Sequence, residues 1–185
     1  KYVRKRAVYL KALTIYYDDT KRSSQEFAEA FSKYEQVVCV RASDYKRQQI
    51  IFAPGKIIGL IFESERGKVP QGIERIISKI VASKTETHLI IVTGGSREFD
   101  SARTASVNMA RRGYTVKNIY TKYLFEKNKL DVEAAADRII CDMEEEKETI
   151  HVLKKYRNDL KDENKKNLRE GIRQYRLEKK RQSKV

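Results

Sequence analysis

Three stretches of the 185-residue chain gather residue types that can handle a phosphorylated or planar ligand. The first is Ile15–Phe27, IYYDDTKRSSQEF, where Thr20, Ser23 and Ser24 supply hydroxyls and Lys21 and Arg22 supply positive charge. A helix starting here would offer its free N–H groups and dipole to a phosphate. Asp18 and Asp19 oppose that reading, because two carboxylates repel a phosphate dianion at close range. A helix start capped by Ser23 or Ser24 accounts for the same hydroxyls. The second stretch, Glu63–Val69, carries Glu63 and Gly67; the third, Thr93–Asp100, carries Thr93, Gly94, Gly95 and Phe99. A glycine pair lets backbone approach a flat ligand closely, although an ordinary turn uses the same pair.

Other chemistries find less support. His88 and His151 have no neighbouring Ser or Cys in a nucleophile context, so a hydrolytic triad is not indicated. Asp142, Glu144, Glu145, Glu146 and Glu148 form an acidic run that reads as a solvated or salt-bridged helix end rather than a metal site. No Gly-x-Gly-x-x-Gly and no Gly-Lys-Ser/Thr occurs. Cys39 and Cys141 lack metal-type spacing and read as buried free thiols.

The elements that must carry these loops alternate regularly. Ala12–Tyr17, Gln36–Arg41, Lys56–Phe62 and His88–Val92 are β-rich runs, and Val116–Leu124 alternates like an edge strand. The solid Val-Val-Cys-Val run of Gln36–Arg41 predicts a strand covered on both faces. Between them, Ser24–Tyr34, Pro70–Ala82 and Ser101–Arg112 show helical spacing, the last stopped by Gly113. Two further helical stretches follow, Asp131–Glu146 and Thr149–Gln182. Strand–helix alternation implies right-handed crossovers and a five-stranded, doubly wound parallel sheet in three layers. In that layout ligands sit at the carboxyl ends of the strands, where all three loops fall.

Residues 12–125 resemble the flavodoxin-like family, especially the short flavodoxin domains of bacteria. Those domains often open with a strand, an aromatic pair and a Ser-Gly-Thr-Gly-Asn-Thr loop that binds the phosphate of FMN. Tyr16, Tyr17, Thr20 and Ser23 look like the aromatic pair and two hydroxyl positions. Asp18 stands where the family has serine, Asp19 and Lys21 where it has glycines, and Arg22 where it has asparagine. The resemblance implies FMN as cofactor, held by Asp18, Thr20, Lys21, Arg22, Ser23, Ser24, Glu63, Gly67, Thr93, Gly94, Gly95 and Phe99. It places the flavin ring between the Glu63–Lys68 and Thr93–Phe99 loops, with Phe99 stacked on it, and implies electron transfer to a redox partner protein.

Charge separates the ends from the middle. Of the net +14, residues 1–6 carry +4 and residues 154–185 carry +8, leaving +2 between. A flavodoxin-like domain over 1–148 with a basic helical extension over 149–185 is therefore expected. That extension suits a polyanion or an acidic partner, or merely keeps the surface solvated. Its apolar residues are too unevenly spaced for a coiled coil. No run approaches the roughly 18 apolar residues of a membrane span, no secretory pattern opens the chain, and a cytoplasmic location is expected. Three function classes remain: an electron-transfer flavoprotein, a cofactor-free scaffold binding a nucleic-acid or protein partner through its basic ends, and a receptor for another small phosphorylated ligand.

Overall fold

The computed structural model describes residues 12–150. Within them the chain runs β1 (Leu13–Tyr17), α1 (Arg22–Phe31), β2 (Val37–Arg41), a 3-10 turn (Ala42–Tyr45), β3 (Ile51–Phe52) and β4 (Ile57–Ser64). It continues through α2 (Gln71–Lys79), β5 (Ile80–Val81), β6 (Thr87–Gly95), α3 (Glu98–Arg111), β7 (Thr115–Thr121), α4 (Lys122–Lys127) and α5 (Val132–Glu144). Five strands pair in parallel in the order β2-β1-β4-β6-β7, and β3 pairs with β5 in a separate two-stranded ribbon. This is an α/β, flavodoxin-like arrangement, as the alternation predicts.

The apolar runs explain which strands are central. Every residue from Ile57 to Phe62 on β4 is buried, and β4 is flanked by β1 (Leu13 beside Ile57) and β6 (Leu60 beside Ile90). Side chains alternate between faces. Leu13, Ile15, Ile57, Ile61, Leu89 and Ile91 pack with Phe27 and Phe31 of α1 and Ile139 of α5. The opposite face meets α2 and α3, whose Ile73, Ile76, Ala102, Ala105 and Met109 are fully buried. At about 25 cal/mol per Å² of apolar surface, this two-faced core dominates the stability of the domain.

Several local expectations need correction. β2 is an edge strand, not one covered on both faces: Val38 is half exposed and Cys39 and Val40 are only partly buried. Its apolar run reflects β propensity, which carries no information about position in the sheet. Cys141 is exposed and Cys39 half-buried, both free, so neither is the buried thiol expected. β7 ends at Thr121, and α4 takes over the residues assigned to the end of the fifth strand. α1 starts at Arg22, and its N-cap residue Lys21 makes no side-chain cap bond, so neither Ser23 nor Ser24 is the cap. α3 begins three residues early, entered from Arg97 at φ 59°, and Gly113 (φ 84°) closes it with Tyr114 N–H bonded to Met109 O.

The acidic run is solvated and salt-bridged as expected, with Asp142 alone of its five acids buried. Asp142 is buried, accepts from Tyr120 Oη (3.3 Å) and faces Arg138 Nε (3.0 Å), while Glu145 pairs with Lys147 and Glu148 with Lys117. Residues 147–149 lie along β7: Asn118 Nδ2 donates to Lys147 O, Ile119 N–H to Thr149 Oγ1, and Thr149 N–H to Lys117 O. The compact unit therefore extends to Ile150. The basic ends, residues 1–6 and 154–185, and nearly all of the expected last helix lie outside the described residues. Among the described residues no helix is long and apolar enough to cross a membrane.

Candidate functional site

After β1 the chain turns to β2 on one side and then crosses to β4 on the other, so the strand order reverses between β1 and β4. The crevice outside their carboxyl ends is the expected ligand position of such a sheet. Asp18 follows β1 there, its N–H bonded to Ile61 O. It is 4% exposed. Its Oδ1 accepts both the N–H (3.1 Å) and the hydroxyl (2.8 Å) of Thr20, while its buried Oδ2 has no partner. Asp19 points elsewhere, accepting the N–H and hydroxyl of Ser43. Burial pushes its carboxyl up, but those two bonds and Arg41 outweigh it and hold it below its ordinary range.

The first turn of α1 faces the same end of the sheet. Its leading N–H groups have no partner within the helix. Ser23 Oγ donates to Glu63 Oε2 (3.0 Å) and accepts from Thr93 Oγ1 (2.8 Å), which also lies 3.3 Å from Ser24 Oγ. The two serines are thus hydroxyl ties from α1 to the ends of β4 and β6. Lys21 and Arg22, expected as phosphate cations, do other things. Arg22 is exposed and pairs with Glu26 one turn on (2.8 Å), and Lys21 sits at the helix entrance.

The second and third loops are joined directly. β4 and β6 pair through to Ser64 beside Gly95. Beyond that, Ser64 Oγ donates to Ser96 O (2.7 Å), and the Gly67 N–H points at both Ser96 O (3.1 Å) and Ser64 Oγ (3.1 Å). Gly95 has φ 86°, and a Cβ there would lie 2.1 Å from Ser64 O. Only glycine fits. Gly94 lies between the stems of Lys122 and Glu63, whose carbons are 3.5 and 3.7 Å from where its Cβ would be. Phe99 is half-buried and meets Tyr123 edge-on (centroids 6.0 Å, 65°). Glu98, at the start of α3, accepts the Tyr123 N–H (3.2 Å), and burial raises its carboxyl above the ordinary range.

No family model, curated protein or solved structure matches this chain. What the site can hold is therefore read from its own atoms. Of the predicted residues, Ser23, Ser24, Glu63 and Thr93 come together in one hydroxyl–carboxylate cluster, and Asp18 and Thr20 form a second, local one. Gly67, Gly94 and Gly95 serve the seam between β4 and β6, while Arg22 and Phe99 belong to neither cluster. Sequence reading missed Ser43, Ser64, Ser96 and Lys122; an isolated serine in a loop carries no pattern that announces such a bond.

FMN does not fit these residues. The amide and hydroxyl of Thr20, which a phosphate would need, are spent on Asp18, and the first turn of α1 faces the Glu63 carboxylate. Adding a phosphate dianion beside two carboxylates is repulsive by several kcal/mol at an effective dielectric of about 20. The gap that would admit a ring between the second and third loops is bridged by their own hydrogen bonds. Among the described residues no group of three or more His, Cys, Asp or Glu is arranged to hold a metal.

Proposed function

We propose that this chain is a cofactor-free, flavodoxin-like scaffold that contacts a nucleic-acid phosphate backbone through its basic ends. The observation that carries this reading is the Asp18 carboxylate, which takes up the loop's amide and hydroxyl where a flavin phosphate would bind. The protein supplies its own anion. With the switch-point crevice so used, the functional weight shifts to the charge, which is concentrated at +4 and +8 in residues 1–6 and 154–185 against +2 between. Neutralising phosphates with Lys and Arg releases counterions, so affinity falls steeply with salt.

The reading is tested with a fluorescently labelled oligonucleotide and the full chain across a salt series. A steep loss of affinity with salt is expected. Replacing Lys179, Lys180, Arg181 and Lys184 by Gln should weaken binding at least tenfold and flatten that slope. Salt-independent binding, or none, contradicts the partner half of the reading. A yellow protein that retains flavin through purification contradicts the other half and returns the electron-transfer reading, with a redox partner, to first place.

A further inference from the structure

The two edges of the main sheet are finished differently, and the open one points to a partner. β7 is lined by residues 147–149 of the same chain. Among the described residues β2 has no such cover, and Val38 at its centre is 50% exposed. The strand reads VVCVR, and Arg41 at its end is the one charge on it; it carries no proline, and its pairing with β1 runs without a bulge.

The ladder fixes which backbone groups face outward. Leu13 N–H donates to Gln36 O (2.9 Å), and Leu13 lies beside Val37. In a parallel ladder that phase turns the N–H groups of Val38 and Val40 toward β1 and those of Cys39 and Arg41 away from the sheet. The Val37 N–H is satisfied by Tyr34 O (2.9 Å), but its carbonyl also points outward.

We infer that β2 pairs antiparallel with β2 of a second copy of this chain, about a two-fold axis at Val38. A two-fold axis requires the antiparallel sense. That register sets Val38 against the second copy's Val38 and Cys39 against its Val37, so each Cys39 N–H meets an outward Val37 carbonyl. It also brings Arg41 to the turn holding the second copy's Glu35. The segment Glu35–Arg41 has its acid at one end, its base at the other and apolar residues between, so it is charge-complementary to itself when reversed. Shifting the axis to Cys39 keeps the backbone phase but moves Arg41 beside the second copy's Val37, losing the ion pair. The inference is independent of the nucleic-acid reading.

Light scattering on the full chain over a dilution series reads the result. A mass approaching twice 21.6 kDa at high concentration is expected. Glu35→Arg or Arg41→Glu alone should weaken the dimer about tenfold, and the double reversal should restore it. Val38→Asp, at a half-exposed position that leaves the core intact, should give a monomer. Val38→Cys, exposed and directly across the axis in a non-hydrogen-bonded pair, should cross-link the two copies through itself under mild oxidation, whereas the wild type should not cross-link. A wild type that stays monomeric throughout overturns the inference. So does a dimer indifferent to these changes, or a Cys39–Cys39 cross-link in the wild type.

Discussion

The loop after β1 and the pair of loops after β4 and β6 share one end of the sheet, yet they are closed in different ways. The first is closed by side chains: Asp18 binds Thr20, and Ser23 and Ser24 reach Glu63 and Thr93. The others are closed mainly by backbone, with strand pairing carried to Ser64 beside Gly95 and the Gly67 N–H turned to Ser96 O. A closure made by a side chain is undone by one substitution. One made by backbone resists substitution of its side chains and fails only where a glycine is lost.

The largest effect should follow from breaking the backbone closure. Gly95→Ala places a Cβ against Ser64 O at a left-handed φ, and we expect a loss of at least about 3 kcal/mol. For a domain of this size that is roughly a 6–12 °C fall in Tm, read by circular dichroism. A change of less than about 2 °C would mean that the two strands are not pressed together there.

The side-chain closure should cost less to break. Asp18→Ala removes the acceptor of two Thr20 hydrogen bonds but also relieves a buried carboxylate with one unpartnered oxygen. Asp18→Asn keeps the acceptor and drops the charge. Urea unfolding should rank the Asn variant about 1 kcal/mol above the Ala variant, and at or above the wild type. A wild type well above both would show that the charge itself is used.

The seam between the two regions is Thr93. Thr93→Val removes the hydroxyl shared with Ser23 and Ser24 while keeping the shape, and about 1 kcal/mol should be lost in the same unfolding assay. Ser23 keeps its bond to Glu63.

A smaller effect, at the opposite end of the sheet, serves as a control. His88 Nδ1 accepts the Ile58 N–H and Nε2 faces Ser83 O, so the neutral ring is the one that fits. Burial holds its folded pKa below 6.5. The unfolded chain then binds the extra proton more readily, so this stability is complete above about pH 6.5 and is lost as pH falls. Glu98, raised by burial, has the opposite sign: its contribution is complete below its ordinary 4.5 and is lost as pH rises. His88→Gln should flatten the fall in urea midpoint between about pH 7 and 5, and Glu98→Gln should steepen it. An unchanged slope in the His88 variant would remove His88 as its source.

Much of this fold was readable before any coordinates. The runs at Lys56–Phe62 and His88–Val92 are almost wholly apolar because both faces of those strands are covered, and the helices between them show their buried stripe in the spacing of Ile73, Ile76 and Ile77. β2 misled because Val-Val-Cys-Val looks the same on an edge as in the centre; cover comes from helices elsewhere in the chain. The site was legible as a place and not as a set of contacts. Asp18 and Asp19 are adjacent and alike in sequence, yet one turns to Thr20 and the other to Ser43, a choice made by the packing of the 3-10 turn. Ser23 and Ser24 follow the usual pattern of a helix cap and instead face inward, because α1 begins two or three residues earlier than the hydroxyls suggest.

The claim beneath all of this is that the switch-point crevice holds the protein's own carboxylates in place of a ligand's phosphate. Titrating FMN with the full chain, and following quenching of flavin fluorescence, addresses it most directly. The account predicts no saturable quenching by the wild type up to about 1 mM, the weak end of specific affinities. It predicts none by Asp18→Ser either, because the backbone closure of the other loops remains. Saturable binding by the wild type with a Kd of about 1 μM or tighter would contradict it outright.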